Sequence, residues 1–194
     1  MSQRHSACRL QSRKGWVLSN VLPFGDVLQE APESLMDRAT FFAIMGAFPT
    51  GVGVVTAMDE HNQPRGLTSN ALCSVSAEPP LMLVCVDKNS NTLPALRHSK
   101  KFVVNYLAAG RGELANLFAS KEPDKFQNVS WRPASNGMPW LHADTIAHAE
   151  CDVNEEIESG DHLIFIAQVI AGQPPAPGTK PLMYFRRTYG TWDD

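Results

Sequence analysis

Two stretches of this chain concentrate side chains that could hold a ligand. The first runs Arg65-Gly66-Leu67-Thr68-Ser69-Asn70-Ala71-Leu72-Cys73-Ser74, and the second runs Asp87-Lys88-Asn89-Ser90-Asn91-Thr92, just ahead of Pro94. Both are dense in short hydroxyl and carboxamide groups. A planar heteroaromatic ring with a polar edge is held by backbone N–H groups and short polar side chains. A phosphate is held by hydroxyls, amides, a cation and a helix N-terminus. Ser90, Asn91 and Thr92, directly before a predicted helix, could supply the second set. The same residue types also close turns and cap helices without any ligand, and on spacing alone that plainer role stays open.

Other chemistries lack their usual signatures. The sequence has no G-x-S-x-G, no H-E-x-x-H, no Walker loop and no zinc-type Cys/His spacing. His142 and His148, six residues apart, would share one face of a strand, but no cysteine or acidic group joins them at metal-ligand spacing. No metal is therefore expected. Gly51-Val52-Gly53 is followed by Val54, Val55 and Thr56, which continue as a strand and open no dinucleotide-binding helix. The four cysteines, Cys8, Cys73, Cys85 and Cys151, form no C-x-x-C pair, and the last three lie in apolar strand-like runs. They read as reduced packing residues.

The elements that must position these groups are mostly strands. At 194 residues, 43% hydrophobic and 19% charged, the chain suits one folded domain. Residues 1–35 show no sustained periodicity and read as an N-terminal extension, leaving residues 36–194 as the folded unit. Ser34-x-x-Asp37 predicts a capping box for a helix carrying Phe41, Phe42, Ile44, Met45 and Phe48 on an apolar face that a core should cover, with Pro49 ending it. Strands are predicted at residues 51–58, 67–75, 81–86, 102–107, 145–153, 163–170 and 182–187, with short helices at 93–98 and 112–119. Seven strands with few helices imply a mainly β fold, a closed or nearly closed Greek-key-type antiparallel barrel. A net charge of −3 without a long run of like charges argues against nucleic acid as a partner. No apolar stretch long enough to span a bilayer and no secretory signal pattern are evident, so a cytoplasmic protein without a membrane partner is expected.

The order of motifs is more specific than any one of them. Pro49-Thr50-Gly51-Val52-Gly53-Val54-Val55-Thr56, the segment from Gly66 to Pro80, Ser120-Lys121-Glu122-Pro123-Asp124-Lys125-Phe126, Gly160-Asp161-His162 and Tyr184-Phe185-Arg186-Arg187 occur in sequence. Together they strongly resemble the flavin reductase family, the NAD(P)H-dependent reductase components of two-component flavin monooxygenases built on the FMN-binding split barrel. The resemblance runs from about Asp37 to Trp192.

That resemblance implies a homodimer of split barrels that passes hydride from a nicotinamide nucleotide to FMN or FAD; no 2′-phosphate pocket is visible in the sequence, so NADH is preferred to NADPH. The reduced flavin then goes to a partner monooxygenase. It implies that Thr68, Ser69, Asn70 and Ala71 line the isoalloxazine and ribityl portion, and that Val86, Asp87, Lys88, Ser90, Asn91 and Thr92 surround the ribityl and phosphate part. Phe118, Ser120 and Lys121 would approach the outer end, with Lys121 neutralising a phosphate, and Pro49, Thr50 and Gly51 would border the ring where the nicotinamide stacks. Gly160, Asp161 and His162 match the nicotinamide-nucleotide motif, with His162 as the contacting residue and Arg186 and Tyr189 assisting. Lys125 reads as part of a solvated basic face, and Cys85 as packing. A non-catalytic flavin-binding or electron-transfer module is the alternative, in which Gly160-Asp161-His162 would be only a turn.

Overall fold

The structure, a computed structural model, describes residues 36–192. A short helix, α1 (Arg38–Met45), leads into β1 (Thr50–Gly51), β2 (Gly53–Met58), β3 (Pro64–Ser69), β4 (Leu72–Ala77) and β5 (Pro80–Asp87). After α2 (Leu93–Ser99) come β6 (Lys101–Leu107), α3 (Gly112–Ala119) and two short strands, β7 (Arg132–Pro133) and β8 (Pro139–Trp140). The last four strands are β9 (Thr145–Ser159), β10 (His162–Gln173), β11 (Leu182–Phe185) and β12 (Thr188–Thr191).

Seven strands form one antiparallel sheet in the order β3-β2-β6-β9-β10-β5-β4. Its two edge strands, β3 and β4, are consecutive in the chain and joined by Asn70 and Ala71 alone. In a flat sheet of seven strands the edges would lie roughly 29 Å apart. The three peptide units from Ser69 to Leu72 span at most about 11 Å. The sheet must therefore curl until its edges converge at this corner, leaving a seam between β3 and β4.

Several predicted boundaries move, three of them with a clear physical cause. The single strand expected over residues 67–75 is two strands on opposite edges, because the Ser69 hydroxyl accepts the Ala71 N–H at 3.1 Å and the Ala71 carbonyl accepts the Cys85 N–H at 3.0 Å. The strand expected over 182–187 stops at Phe185, where Arg186 and Arg187 take left-handed φ values of 48° and 64° and reverse the chain into β12. Such turns usually carry Asn-Gly, so an Arg-Arg pair gives no warning. β9 runs on from Val153 to Ser159, since Glu155, Glu156, Ile157 and Glu158 pair with β10 despite their polarity.

β2 explains how one sheet serves two cores. Its residues are buried on both faces, so Val55 and Ala57 enter one cluster with Val84, Phe102, Val104 and Phe165. Val54, with Val52 just before the strand, enters another with Leu107, Phe118 and Leu141. A strand buried on both sides reads as a continuous apolar run, as Val52 to Ala57 nearly does. Leu93, Ala95 and Leu96 bring α2 onto the first core, and Ala115 and Phe118 bring α3 onto the second.

α1 departs from expectation. Its N-cap is Asp37, whose carboxylate accepts from the Ala39 and Thr40 amides at 2.9 and 3.0 Å; Ser34 lies outside the described residues. The helix ends at Gly46, before Pro49 can act. Phe41, Phe42, Ile44, Met45 and Phe48 are all exposed, Phe48 by 69%. The face expected to cover a core covers none among the described residues.

One buried polar knot ties β2 to β6 and β8. Fully buried Asn105 donates its amide to the Val54 carbonyl (3.1 Å) and the Thr56 hydroxyl (3.0 Å), and its Oδ1 accepts the Leu141 N–H at 2.8 Å. Thr56 in turn donates to the Pro139 carbonyl at 2.5 Å. Asn105→Ala leaves those groups buried and unpaired, and should lower unfolding stability by about 2–4 kcal/mol in urea titration. An unchanged midpoint would show that the knot is not structural.

Candidate functional site

Where the edges converge, the seam opens into a cleft of ≈ 350 Å³. Four separate segments wall it, and three of them are shaped by a polar side chain that closes its own turn. Ser69 accepts from Ala71 N–H, as described above. The Asp87 carboxylate accepts the Asn89 N–H at 2.6 Å, and Ser90 Oγ accepts the Thr92 N–H at 3.2 Å. The Ser120 hydroxyl accepts the Glu122 N–H at 3.1 Å and donates to the Leu117 carbonyl at 2.7 Å. At the hairpin between β9 and β10, Gly160 takes φ 59° in a two-residue turn, and Asp161 bonds the His162 ring at 2.7 Å.

These loops bring together Thr68, Ser69, Asn70, Ala71, Asp87, Ser90, Asn91, Phe118, Ser120, Lys121 and His162 around one space. The hydroxyl and carboxamide clusters therefore do both things that the sequence left open, closing turns and lining a cleft. Thr68 donates to the Ala115 carbonyl at 2.7 Å, which docks α3 against β3. Asn70 donates to the Thr50 hydroxyl at 3.1 Å, so Thr50 steadies the link without itself lining the cleft. Lys121 Nζ donates to the Asn89 carbonyl at 2.9 Å and clamps the end of α3 to the β5–α2 turn. His162 pairs across the sheet with Asp87, and its side chain stays 43% exposed. The imidazole beside Asp161 holds that carboxyl below its usual range.

Several expected residues lie elsewhere. Val86 is in the core and Thr92 is buried at the N-cap of α2, so neither side chain lines the cleft. Lys88 pairs with Glu158 on β9. Gly160 and Asp161 shape the hairpin that presents His162 but do not themselves line the space. Pro49 and Tyr189 border a separate apolar groove with Phe185 and Trp192, and Tyr189 donates to Asn116 at 3.1 Å. Gly51 pairs with Met183 in the small sheet, and Arg186 lays its guanidinium over the Phe185 ring at 5.0 Å. His142 and His148 share no strand face: His142 precedes β9, and both rings contact Trp140, His148 stacking at 4.0 Å.

The sequence reading missed four lining residues, Leu67, Cys85, Ala119 and Lys125. Cys85 stands two positions before Asp87 on β5, and strand alternation puts both on one face. Burial pushes its thiol up; Cys151, in the core, is pushed to about 12, also by burial. Cys73 is exposed, so the packing role expected for it is not met. Lys125 is no solvated surface cation. It is half-buried and donates to the Phe118 carbonyl at 2.8 Å and the Gly66 carbonyl at 3.2 Å, where a charge meets the exposed carbonyls of the last turn of α3. Burial, with Lys121 nearby, lowers its pKa.

Comparison with known proteins places this geometry in context. Residues 45–193 match the family described as Flavin reductase like domain. Flavin reductase (NADH) of Kitasatospora aureofaciens is 46% identical over 171 residues, covering 88% of this chain and 89% of that protein. The reductase subunit HsaB of a flavin-dependent monooxygenase from Mycobacterium tuberculosis is 34% identical over 79% of this chain and 82% of its own. Among solved structures, NADH:FAD oxidoreductase SgcE6 of Streptomyces globisporus C-1027, in complex with NAD and FAD fragments, superposes with a TM-score of 0.75. It is 34% identical, covering 81% of this chain and 93% of that one.

The wall between α3 and β3 depends on a missing side chain. A Cβ on buried Gly66 would stand 2.7–2.8 Å from the Phe118 ring and 3.3 Å from Thr56 Cγ2. Gly66→Ala should displace Phe118 and cost about 1–3 kcal/mol in urea unfolding, as overpacking does. Wild-type stability in this variant would mean that the ring yields freely.

Proposed function

The chain belongs to the flavin reductase-like family, and from that membership we propose that it transfers hydride from NAD(P)H to FMN or FAD and delivers the reduced flavin to a flavin-dependent monooxygenase. The observation that carries this reading is the convergence of four polar loops on one cleft at the seam. The residues present suit a flavin: Leu67, Ala71, Cys85 and Phe118 offer apolar surface for a ring, and short polar groups with Lys121 offer donors for its edge and its phosphate. When bound, flavin supplies the acceptor for a hydride pair, so the protein needs no nucleophile of its own.

The chain's own contribution is alignment. Thr68, Ser69, Asn70 and Ala71 border the ring and ribityl portion, and Asp87, Ser90 and Asn91 the ribityl and phosphate portion. Phe118, Ser120 and Lys121 close the outer end, and His162 contacts the nicotinamide nucleotide. Holding two reactants in near-attack geometry is worth on the order of 7–11 kcal/mol, and turns closed before any ligand arrives hold that geometry without further ordering. The cleft is open, which suits release of reduced flavin to a second protein. NADH is the preferred donor in this reading, in keeping with the Kitasatospora relative.

The same reading places the protein in the cytoplasm, and the free thiols of Cys73, Cys85 and Cys151 accord with a reducing compartment. No helix among the described residues is long and apolar enough to cross a membrane. Residues 1–35 are taken as an extension outside the reductase unit. A homodimer belongs to the proposal too, supported by the exposed apolar face of α1 and by Phe185 and Trp192, which are 40% and 65% exposed. Monomeric proteins seldom leave so much contiguous apolar surface in water.

Steady-state oxidation of NADH and NADPH with riboflavin, FMN and FAD tests the activity: turnover with added free flavin is expected, and none would leave only a binding module. His162→Ala should raise KM for NADH roughly five- to tenfold, the loss of about one hydrogen bond, with KM for flavin little changed. An unchanged KM for NADH removes His162 from the site. Sedimentation should give a dimer for the wild type and a monomer for the double variant Phe42→Asp, Ile44→Asp. A wild-type monomer, or a variant that stays dimeric, overturns the α1 interface.

A further inference from the structure

His162 is presented by a hairpin, and that hairpin is tied down by charges that line no cleft. Beyond Val153, β9 carries Glu156 and Glu158 opposite Phe165 and Leu163 of β10. Both partners belong to the core that α2 covers, so the two carboxylates project on the α2 face of the sheet. Two cations meet them there. Arg97, in the last turn of α2, donates from Nε to Glu156 at 2.9 Å, and Lys88, in the turn between β5 and α2, pairs with Glu158. Lys88 holds the Glu158 carboxyl below its usual range. Because β10 lies between β9 and β5, the Lys88–Glu158 pair spans β10 near its start. Alternation turns His162, the neighbour of core residue Leu163, to the other face, where it lines the flavin cleft.

The same lysine makes a second tie through its backbone, since its N–H donates to the Asp161 carbonyl at 3.0 Å. Asp161 is the residue whose carboxylate bonds the His162 ring. The turn that carries Lys88 also brings Asp87, Ser90 and Asn91 to the cleft, and Lys121 clamps it from the α3 side through the Asn89 carbonyl. Lys88 itself stands outside the cleft. It is the point at which the wall assigned to flavin and the hairpin that carries His162 are joined.

We propose that Lys88 is a positioning residue for the nicotinamide nucleotide: paired with Glu158, it holds the β9–β10 hairpin against the β5–α2 turn and so keeps His162 at the flavin cleft. This rests on the reading in which His162 contacts that nucleotide. An exposed ion pair adds little to global stability, so the effect is local. The pair limits opening of the hairpin end, where His162 and Asp87 form the last rung between β10 and β5.

Steady-state kinetics of Lys88→Met and Glu158→Gln, beside hydrogen exchange of the ligand-free protein, test this. Each variant should raise KM for NADH roughly two- to fourfold, with kcat, KM for flavin and the urea midpoint little changed. The shared direction is diagnostic: bare attraction of an anionic nucleotide would make loss of Lys88 raise KM and loss of Glu158 lower it. Lys88→Arg should keep the wild-type KM, and the double variant Lys88→Met, Glu158→Gln should be no worse than either single one. In a His162→Ala background, Lys88→Met should add nothing. Without any ligand, the amides of residues 158–163 should exchange about two- to fourfold faster in Lys88→Met. An unchanged KM in the single variants, a fall in Glu158→Gln, or a rise in Lys88→Met that persists without His162 overturns the positioning role and leaves the reductase reading standing. No turnover by the wild type with any free flavin, or an unchanged KM for NADH in His162→Ala, fails that reading instead, and the role of Lys88 with it.

Discussion

A two-residue link sets the whole arrangement. Because Asn70 and Ala71 alone join the two edge strands of a seven-stranded sheet, the sheet has to curl until those edges nearly meet. They form no ladder with each other, and the link turns away through Ser69. What remains between them is a slot lined by backbone and by the short side chains of the link. The cleft follows from topology before any ligand-specific residue is considered.

The walls of that slot share a second property: the side chains that look most like ligand donors are partly committed already. Ser69, Asp87, Ser90 and Ser120 each accept a backbone N–H from two residues further on, and Thr68 and Asn70 bond to Ala115 and Thr50. Such bonds fix loop shape at the expense of donors, which is why these residue types are ambiguous in sequence. For a reaction that needs two planar systems held in register, fixed loops matter more than spare donors. Ordering entropy is settled during folding, so little is charged to binding.

How far the sequence could be read follows from this division. Mainly β architecture, the two helices after α1 and most strand cores were legible because they depend on alternation and helix caps, both local signals. The contributions of Thr68 to Ala71, Ser90, Asn91, Lys121 and His162 to one cleft were legible only through the order of motifs, since no local signal says that residues nearly a hundred positions apart meet. Lys125 was misread because its partners are the carbonyls of Gly66 and Phe118, which leave no trace in side-chain pattern. The Arg186-Arg187 reversal and the exposed face of α1 failed for related reasons: the first is held by backbone geometry that its residue types disfavour, and an amphipathic pattern does not say whether its apolar side meets a core or another surface.

Lys125 shows how fold and site share one free-energy balance. Burying its ammonium disfavours the charged form, and its pKa is lowered accordingly. Between that lowered value and the ordinary lysine value, the unfolded chain binds more protons than the folded one, so folding becomes more favourable as pH rises there; below the lowered value the cost of the buried charge is present in full. The carbonyls of Gly66 and Phe118 offset part of that cost, and α3 is fixed against β3 in consequence. An anion beside the remaining N–H would offset more, favour the protonated form, and so bind with uptake of a proton in the same range.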